Sequence, residues 1–343
     1  MLAAGFIVVL IIGYAAFVPH RGTLSHFDHA VYQQTVVKMH AGEGFYDAFT
    51  DASKEFGVSI QRARAFRLPT MFLLWRYLPP DHLYVAYLVL VVGITSLLAL
   101  FLTETPLVAV GVALYLLCAG RLPGTGTTAE EFLLNELWAV PFVFGGLLLW
   151  KHQRWWPAAI TIGAAVVTRE VAAPLLIGGV IASHRRGLPR RPWIIVGVLA
   201  AALYVLHLHL ASSHLVAHGN DAKLVGTGDP PRTILDMLDW VLPSPSIIGL
   251  VLWVLAVARI SQIRQLDLLG PFLALPLTGL VVARPYWGLL FIPVVIFFVL
   301  ELVAGALKRR DGTPTTGASG SWPPPRTRWL GRGSPEAVPA PPS

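Results

Sequence analysis

The sequence predicts an all-α integral membrane protein of about ten transmembrane or half-membrane helices, with a helical extracytoplasmic first loop. Of its 343 residues, 55% are hydrophobic and 13% are charged, and its mean hydropathy is +0.63. Soluble domains carry about 25% charged residues. Several apolar runs approach the roughly 20 residues that cross a hydrocarbon core. The period-2 alternation of outer-membrane barrels is missing from the sequence, so we expect the spans to be helices.

The formal net charge of +7 does not indicate nucleic-acid binding, because the Lys and Arg residues lie in short clusters between apolar runs. Such clusters orient a membrane protein against an anionic leaflet, and we expect membrane lipids as partners. Cys118 is the only cysteine, so neither an intrachain disulfide nor a thiolate metal site is expected. The preference for Arg over Lys and the abundance of Ala, Gly, Pro and Val indicate a bacterial chain, which we place in the cytoplasmic (inner) membrane.

Ten apolar segments follow one another along residues 1–307, which we predict to form one polytopic domain. The first, residues 2–18, lacks the basic n-region and the cleavage site of a signal peptide, so we expect it to be retained. The other nine cover residues 83–102, 106–118, 132–150, 156–167, 171–183, 193–210, 247–263, 268–283 and 287–307. The tail, residues 308–343, is rich in Pro, Gly and Ser and is expected to be disordered and cytoplasmic.

Four basic clusters determine the predicted orientation, and they cover residues 151–154, 184–191, 259–264 and 308–310. The positive-inside rule places all four in the cytoplasm. One apolar stretch separates the first two clusters, so it has to enter and leave on the same side. We therefore predict that it breaks at Thr168, Arg169 and Glu170 into two short helices, whose polar apex must be sheltered by protein or line a wet cavity. Both termini are then cytoplasmic, and residues 19–81 and 211–245 form the two large extracytoplasmic loops.

Asp28 lies near the start of the first loop and allows two interpretations. In the first, Ser25 caps a helix that ends at Gly42, and Asp28 stabilises the positive end of that helix. In the second, Asp28 is a carboxylate at the mouth of the first span that acts as a general base. The residues alone leave both interpretations open.

The first 190 residues have a distinctive layout. An N-terminal span is followed by a long external loop with an acid near its start, an Arg and a Pro before the next span, a later helix pair broken at an Arg and a Glu, and a pattern formed by Tyr32, Gly42, Phe45 and Tyr46. This layout resembles the GT-C superfamily of membrane glycosyltransferases, which includes bacterial cell-surface glycopolymer proteins. The resemblance implies transfer of a sugar from a polyprenyl-phosphate donor to an envelope glycan or glycolipid acceptor on the external face, with Asp28 as catalytic base.

An enzyme of this kind would be an inverting hexosyl- or pentosyltransferase, because direct displacement at the anomeric carbon inverts it. Many members of the family carry two acids separated by one residue, whereas His26 stands here in place of the first acid. This departure leaves dependence on a divalent cation open. No organic cofactor is expected, since the sequence has no phosphate-cradling or dinucleotide glycine motif.

Charged residues in four other places are candidates for substrate binding. Arg62, Arg64 and Arg67 of the first loop either snorkel to lipid headgroups or bind the donor phosphate and stabilise it as a leaving group. Arg169 and Glu170 form either a structural ion pair or a contact that faces a cavity, where Arg169 would help to hold the donor phosphate.

Glu130 and Glu131 either belong to a helix cap or supply carboxylates for a divalent ion or an acceptor hydroxyl. Arg284 is either an interface anchor or a second phosphate contact. His207, His214 and His218 fall on one helical face, and we interpret them as interfacial histidines because no carboxylate or cysteine lies at the spacing of a zinc site.

Two other classes of protein remain alternatives. A membrane transporter or lipid flippase would also explain buried charges and a broken helix pair. However, the sequence shows no second broken pair of the kind that an inverted repeat would produce. A non-catalytic subunit of a glycopolymer assembly machine would share the fold and tolerate loss of Asp28.

Overall fold

The computed structural model describes residues 26–58, 60, 63, 66–78, 82–83, 85–87, 89–90, 133, 135–215 and 268. In this part of the chain every element of three or more residues is a helix, which confirms the all-α class there. The helices are α1 (His26–His40), α2 (Phe45–Glu55), α3 (Thr70–Trp75), α4 (Asn135–Lys151), α5 (Trp155–Thr168), α6 (Ala173–Arg185) and α7 (Arg191–Ser212), with a 3-10 turn at Glu170–Ala172. Segments 2–18, 106–118, 247–263, 287–307 and the tail 308–343 lie outside these residues, so the number of ten helices stays a prediction.

The first loop is helical over α1, α2 and α3, as predicted. α1 ends at His40, and Gly42 follows with φ +103°. Glycine adopts this left-handed conformation readily because it has no Cβ. Aromatic rings then join the three helices: the centroids of Phe45 and Phe72 are 4.9 Å apart, and Tyr32 meets Phe72 edge-on at 5.4 Å. The loop is therefore a packed unit, and its buried residues belong to the same apolar core as those of α4 and α5.

The chain breaks between α5 and α6 at the predicted position. Arg169 is extended, with φ −149° and ψ 110°, which ends α5, and one 3-10 turn leads into α6. A Cβ added to Gly163 of α5 would lie 2.4 Å from Val196 of α7, and one added to Gly179 of α6 would lie 2.2 Å from Trp193. Both α5 and α6 therefore pack against the first part of α7, and the two helices run in opposite directions along it.

We call α5 and α6 the hinged pair. Three tryptophans lie at the end of the bundle where α5 begins and α6 ends. The ring of Trp150, near the end of α4, lies 5.0 Å from Trp155 and 5.3 Å from Trp193, measured between centroids. These contacts bring the end of α4 to the starts of α5 and α7. The basic residues 151–154 and 184–191 consequently lie at one end of the bundle, as the predicted hinged pair requires. Which side of a membrane this end faces stays a prediction.

α7 is the one helix, within the described residues, that is long and apolar enough to cross a membrane. Its 22 residues extend about 33 Å at 1.5 Å per residue, which exceeds a hydrocarbon core of about 30 Å. Many of its large apolar side chains are exposed: Ile194, Ile195, Val198, Leu199, Leu203, Val205, Leu206 and Leu210. An exposed apolar surface of this extent indicates association with a membrane.

Candidate functional site

The break between α5 and α6 forms a polar apex that the first loop covers. Thr70, the first residue of α3, donates its hydroxyl hydrogen to the carbonyl oxygen of Val167 at 2.7 Å. Thr168, the last residue of α5, is 3% exposed, and Arg169 is fully buried. Protein therefore covers Thr168 and Arg169, which is one of the two arrangements expected for the apex.

Two carboxylates hold the guanidinium group of Arg169. Its Nε donates to Oε1 of Glu136, and its Nη1 donates to Oε1 of Glu170, each at 2.5 Å. The side chain of Glu136, in the first turn of α4, is 4% exposed, whereas that of Glu170 is 28% exposed. Glu170 is thus the member of this ion cluster that reaches the surface of the site.

Arg67 supplies a second positive charge beside the cluster. Its Nε donates to the hydroxyl oxygen of Tyr32 at 2.6 Å. Its charge acts on the Glu170 carboxylate, so the two side chains lie within electrostatic range of each other. With Arg67 and Arg169 positive and Glu136 and Glu170 negative, the charges of the apex balance.

Asp28, the predicted base, lies on the same face of α1 as Tyr32. Residues four apart in an α-helix are neighbours on one face, separated by about 6 Å along the axis. Tyr32, four residues after position 28, accepts a hydrogen bond from Arg67. The role of Asp28 as a base stays a prediction. Ser25, the predicted cap, lies outside the part of the chain that the structure describes.

Tyr46 joins the first loop to α7. Its hydroxyl oxygen lies 3.0 Å from Nδ1 of His207, and the other ring nitrogen of His207, Nε2, lies 3.4 Å from the carbonyl oxygen of Phe66. The Tyr46 ring stacks on His207 and His214, with centroid distances of 5.8 and 5.4 Å. Asp47 contacts Nε2 of His214 at 3.3 Å. Burial raises the pKa of the Tyr46 hydroxyl above its usual range, so the group keeps its hydrogen near neutral pH.

A cavity of about 550 Å³ lies between the first loop, the apex, α6 and α7. It extends along α7 from Gly197 to Leu210, which is about 20 Å at 1.5 Å per residue. Its lining is mostly apolar, and the α7 residues that line it from Gly197 to Leu203 carry no polar side chain. The polar lining lies toward the apex and comes from Tyr46, Thr70, Glu170, Tyr204 and His207. The cavity is therefore amphipathic along its length.

The structure brings three of the predicted binding residues together at the apex: Arg67, Arg169 and Glu170. Five others lie outside the described residues: Arg62, Arg64, Glu130, Glu131 and Arg284. Within the described ranges, no three His, Cys, Asp or Glu residues are grouped so that they could hold a metal ion. Dependence on a divalent cation accordingly stays open.

The sequence analysis missed Glu136 and the role of His207. Both are ionisable residues inside apolar runs, which is the signal that identified Arg169 as a site residue. His207 is only 3% exposed because it contacts the first loop, and its position at the membrane interface stays a prediction.

Comparison with family models, with curated proteins and with solved structures finds no match to this chain. Its function therefore has to be inferred from the apex and the cavity.

Proposed function

We propose that this protein is a membrane glycosyltransferase that moves a sugar from a polyprenyl-phosphate donor to an envelope glycan or glycolipid acceptor on the extracytoplasmic face. The observation that carries the proposal is the amphipathic cavity between α6 and α7, whose polar end meets the first loop. A donor of this class consists of a long apolar chain followed by a phosphate and a sugar. The cavity offers apolar walls and, toward the first loop, a carboxylate and hydroxyl groups.

The depth of the polar end fits a lipid-linked donor. His207 lies 16 positions after Arg191, the first residue of α7, or about 24 Å along the axis. In the predicted orientation this depth approaches the outer boundary of a hydrocarbon core of about 30 Å. A lipid phosphate lies at headgroup level, whereas nucleotide sugars are made in the cytoplasm and carry several charges. The donor of an outward-facing site is therefore a sugar that has already crossed on a lipid.

The two described arginines take different roles in this proposal. Arg67 is partly buried and oriented by Tyr32, and it binds the donor phosphate. Arg169 is fully buried against two carboxylates, so it positions Glu170 at the cavity, where that carboxylate contacts the sugar. Further assignments are phosphate contacts for Arg62, Arg64 and Arg284, and acceptor or cation contacts for Glu130 and Glu131.

Asp28 is the proposed general base. The acceptor hydroxyl oxygen attacks the anomeric carbon, Asp28 takes the proton of that hydroxyl, and the bond between the anomeric carbon and the phosphate oxygen breaks. Polyprenyl phosphate leaves as an anion that an arginine stabilises, so no general acid is needed. The anomeric carbon is inverted by this single displacement.

A lipid flippase or transporter would also use an amphipathic cavity, and a non-catalytic assembly subunit would share the fold. Neither alternative requires a carboxylate that accepts a proton from a second substrate. The first loop packs directly on the apex and supplies Tyr46 and Thr70 to the cavity lining, which supports an enzyme whose first loop takes part in the reaction.

Asp28→Asn tests the assignment, because asparagine keeps the size and can accept a capping hydrogen bond but takes no proton near neutral pH. Full-length protein in nanodiscs would receive polyprenyl-phosphate sugars or the matching nucleotide sugars, together with an envelope glycolipid fraction as acceptor. We expect transfer from the lipid donors alone. The variant should insert normally and lose at least about a hundredfold in rate.

Asp51→Asn is the matched control, because Asp51 is an exposed acid of the same loop that pairs with Lys54 at 2.8 Å. This variant should keep full activity. Near-normal transfer by Asp28→Asn would show that Asp28 stabilises the start of the helix and is not the base. Turnover of a nucleotide sugar would refute the donor class and the orientation of the site.

A further inference from the structure

The hydrogen positions in the contact between Phe66, His207 and Tyr46 follow from chemistry. The Phe66 carbonyl oxygen can only accept, so Nε2 of His207, 3.4 Å away, carries a hydrogen. His207 is 3% exposed, and a charged ring there would lose its hydration. Glu170 lies near the ring, but the positive charges of Arg169 and Arg67 offset those of Glu170 and Glu136. The ring is therefore neutral, Nδ1 is an acceptor, and the Tyr46 hydroxyl donates to it at 3.0 Å.

This assignment determines what Tyr46 presents to the cavity that it lines. A tyrosine hydroxyl has one hydrogen, and here that hydrogen is directed at His207. The oxygen consequently faces a bound ligand with a lone pair and no hydrogen. Stacking on His207 and His214 holds the Tyr46 ring in this orientation.

Glu170, like the Tyr46 oxygen, presents only hydrogen-bond acceptors to the cavity. Its ionised carboxylate accepts hydrogen bonds and donates none. The polar lining of the cavity thus includes two acceptors, Tyr46 and Glu170, which suit a head group rich in hydroxyl donors and repel a bare phosphate. The phosphate of the ligand belongs instead beside Arg67, on the first loop.

We propose that the Tyr46 oxygen accepts a hydrogen bond from a hydroxyl group on the head of the bound lipid, and that His207 is the positioning residue that enforces this polarity. The inference rests on the proposed function, in which the donor sugar supplies that hydroxyl. Tyr46 and His207 thereby select a lipid with a hydroxyl-bearing head over the same lipid phosphate without a sugar.

The test measures dissociation constants of two probe lipids for the full chain in nanodiscs. The probes are polyprenyl phosphate and the same lipid carrying glucose, mannose, galactose or arabinose. We expect wild-type protein to prefer at least one glycosyl lipid. Tyr46→Phe keeps the ring and removes the oxygen, so this preference should fall about five- to tenfold while affinity for polyprenyl phosphate stays unchanged. Arg67→Gln, in contrast, should weaken both probes to a similar extent.

Two variants of His207 separate positioning from packing. His207→Gln offers a carbonyl oxygen to Tyr46 and an N–H group to Phe66, so it should keep most of the preference. His207→Phe offers neither and should lose it. A deoxyfluoro sugar can accept but cannot donate, so wild type should discriminate against it at the contacted position, whereas Tyr46→Phe should not.

Equal binding of all probes by wild type overturns the proposal, and so does an unchanged preference in Tyr46→Phe. Equal loss of affinity for both kinds of probe in Tyr46→Phe also overturns it, because that pattern marks a purely structural role. Failure of the enzyme assignment gives a different result. If the protein binds glycosyl lipids with the expected selectivity but transfers no sugar, the hydrogen-bond assignment holds and the catalytic assignment is refuted.

Discussion

Removal of the Arg169 charge should destabilise the protein much more than removal of an exposed charge. Arg169→Met leaves Glu136 and Glu170 around an apolar side chain, and the Glu136 side chain is 4% exposed. At an effective dielectric constant of about 20, two unit charges 4 Å apart attract by about 4 kcal/mol. Loss of one partner from a buried ion pair lowers the free energy of unfolding by about 3–5 kcal/mol, which is the change we expect.

Lys38→Met is the matched control for this variant. Lys38 pairs with Glu55 at 2.7 Å, a distance close to those of Arg169, but the two side chains are 18% and 46% exposed. Such an exposed pair contributes much less to stability than a buried one, because water screens the two charges. The double variant Arg169→Met with Glu136→Gln should recover part of the loss, because it removes the uncompensated buried charge.

Denaturation in mixed micelles, followed by tryptophan fluorescence, gives the free energies of unfolding for these variants. Equal small changes in Arg169→Met and Lys38→Met would refute the reasoning that a buried ion cluster holds the apex together. Stability has to be measured before activity, because reduced donor use by an unstable Arg169 variant would not distinguish phosphate binding from folding.

Gly178→Ala should destabilise the packing of α6, because the added Cβ would lie 1.8 Å from the carbonyl oxygen of Leu268. Thermal unfolding can compare it with Gly197→Ala, whose Cβ would meet nothing within 4 Å. For orientation, His184→Cys and Ser212→Cys place exposed thiols near the ends of α6 and α7, in a background without the native cysteine. We expect an impermeant maleimide to label Ser212→Cys from outside and His184→Cys only after permeabilisation, and the reverse pattern would invert the predicted topology.

Local signals in the sequence predicted the features that depend on neighbouring residues. The end of α1 follows from Gly42, which adopts a left-handed conformation that other residues avoid. The break at Arg169 follows from two ionisable residues in an apolar stretch that is flanked by basic clusters. Both features were predictable because the chain within a few residues decides them.

Contacts between distant parts of the chain were not predictable in the same way. Glu136 and Arg169 are 33 residues apart, and Tyr46 and His207 are 161 residues apart. Hydrophobic periodicity indicates which face of a helix is buried, but it does not indicate which other helix covers that face. The acid that neutralises Arg169 and the hydroxyl that contacts His207 therefore required the structure.

The cover over the apex also has a consequence for biosynthesis, because a ribosome makes the chain from its N-terminus. Thr70, which bonds to Val167, precedes it by 97 residues, and Glu136 precedes Arg169 by 33. The covering loop and the neutralising carboxylate have thus already been synthesised when the hinged pair emerges. Arg169 can therefore pair with Glu136 as the hinged pair inserts into the bilayer. The order of translation thus avoids the insertion of an unpaired positive charge.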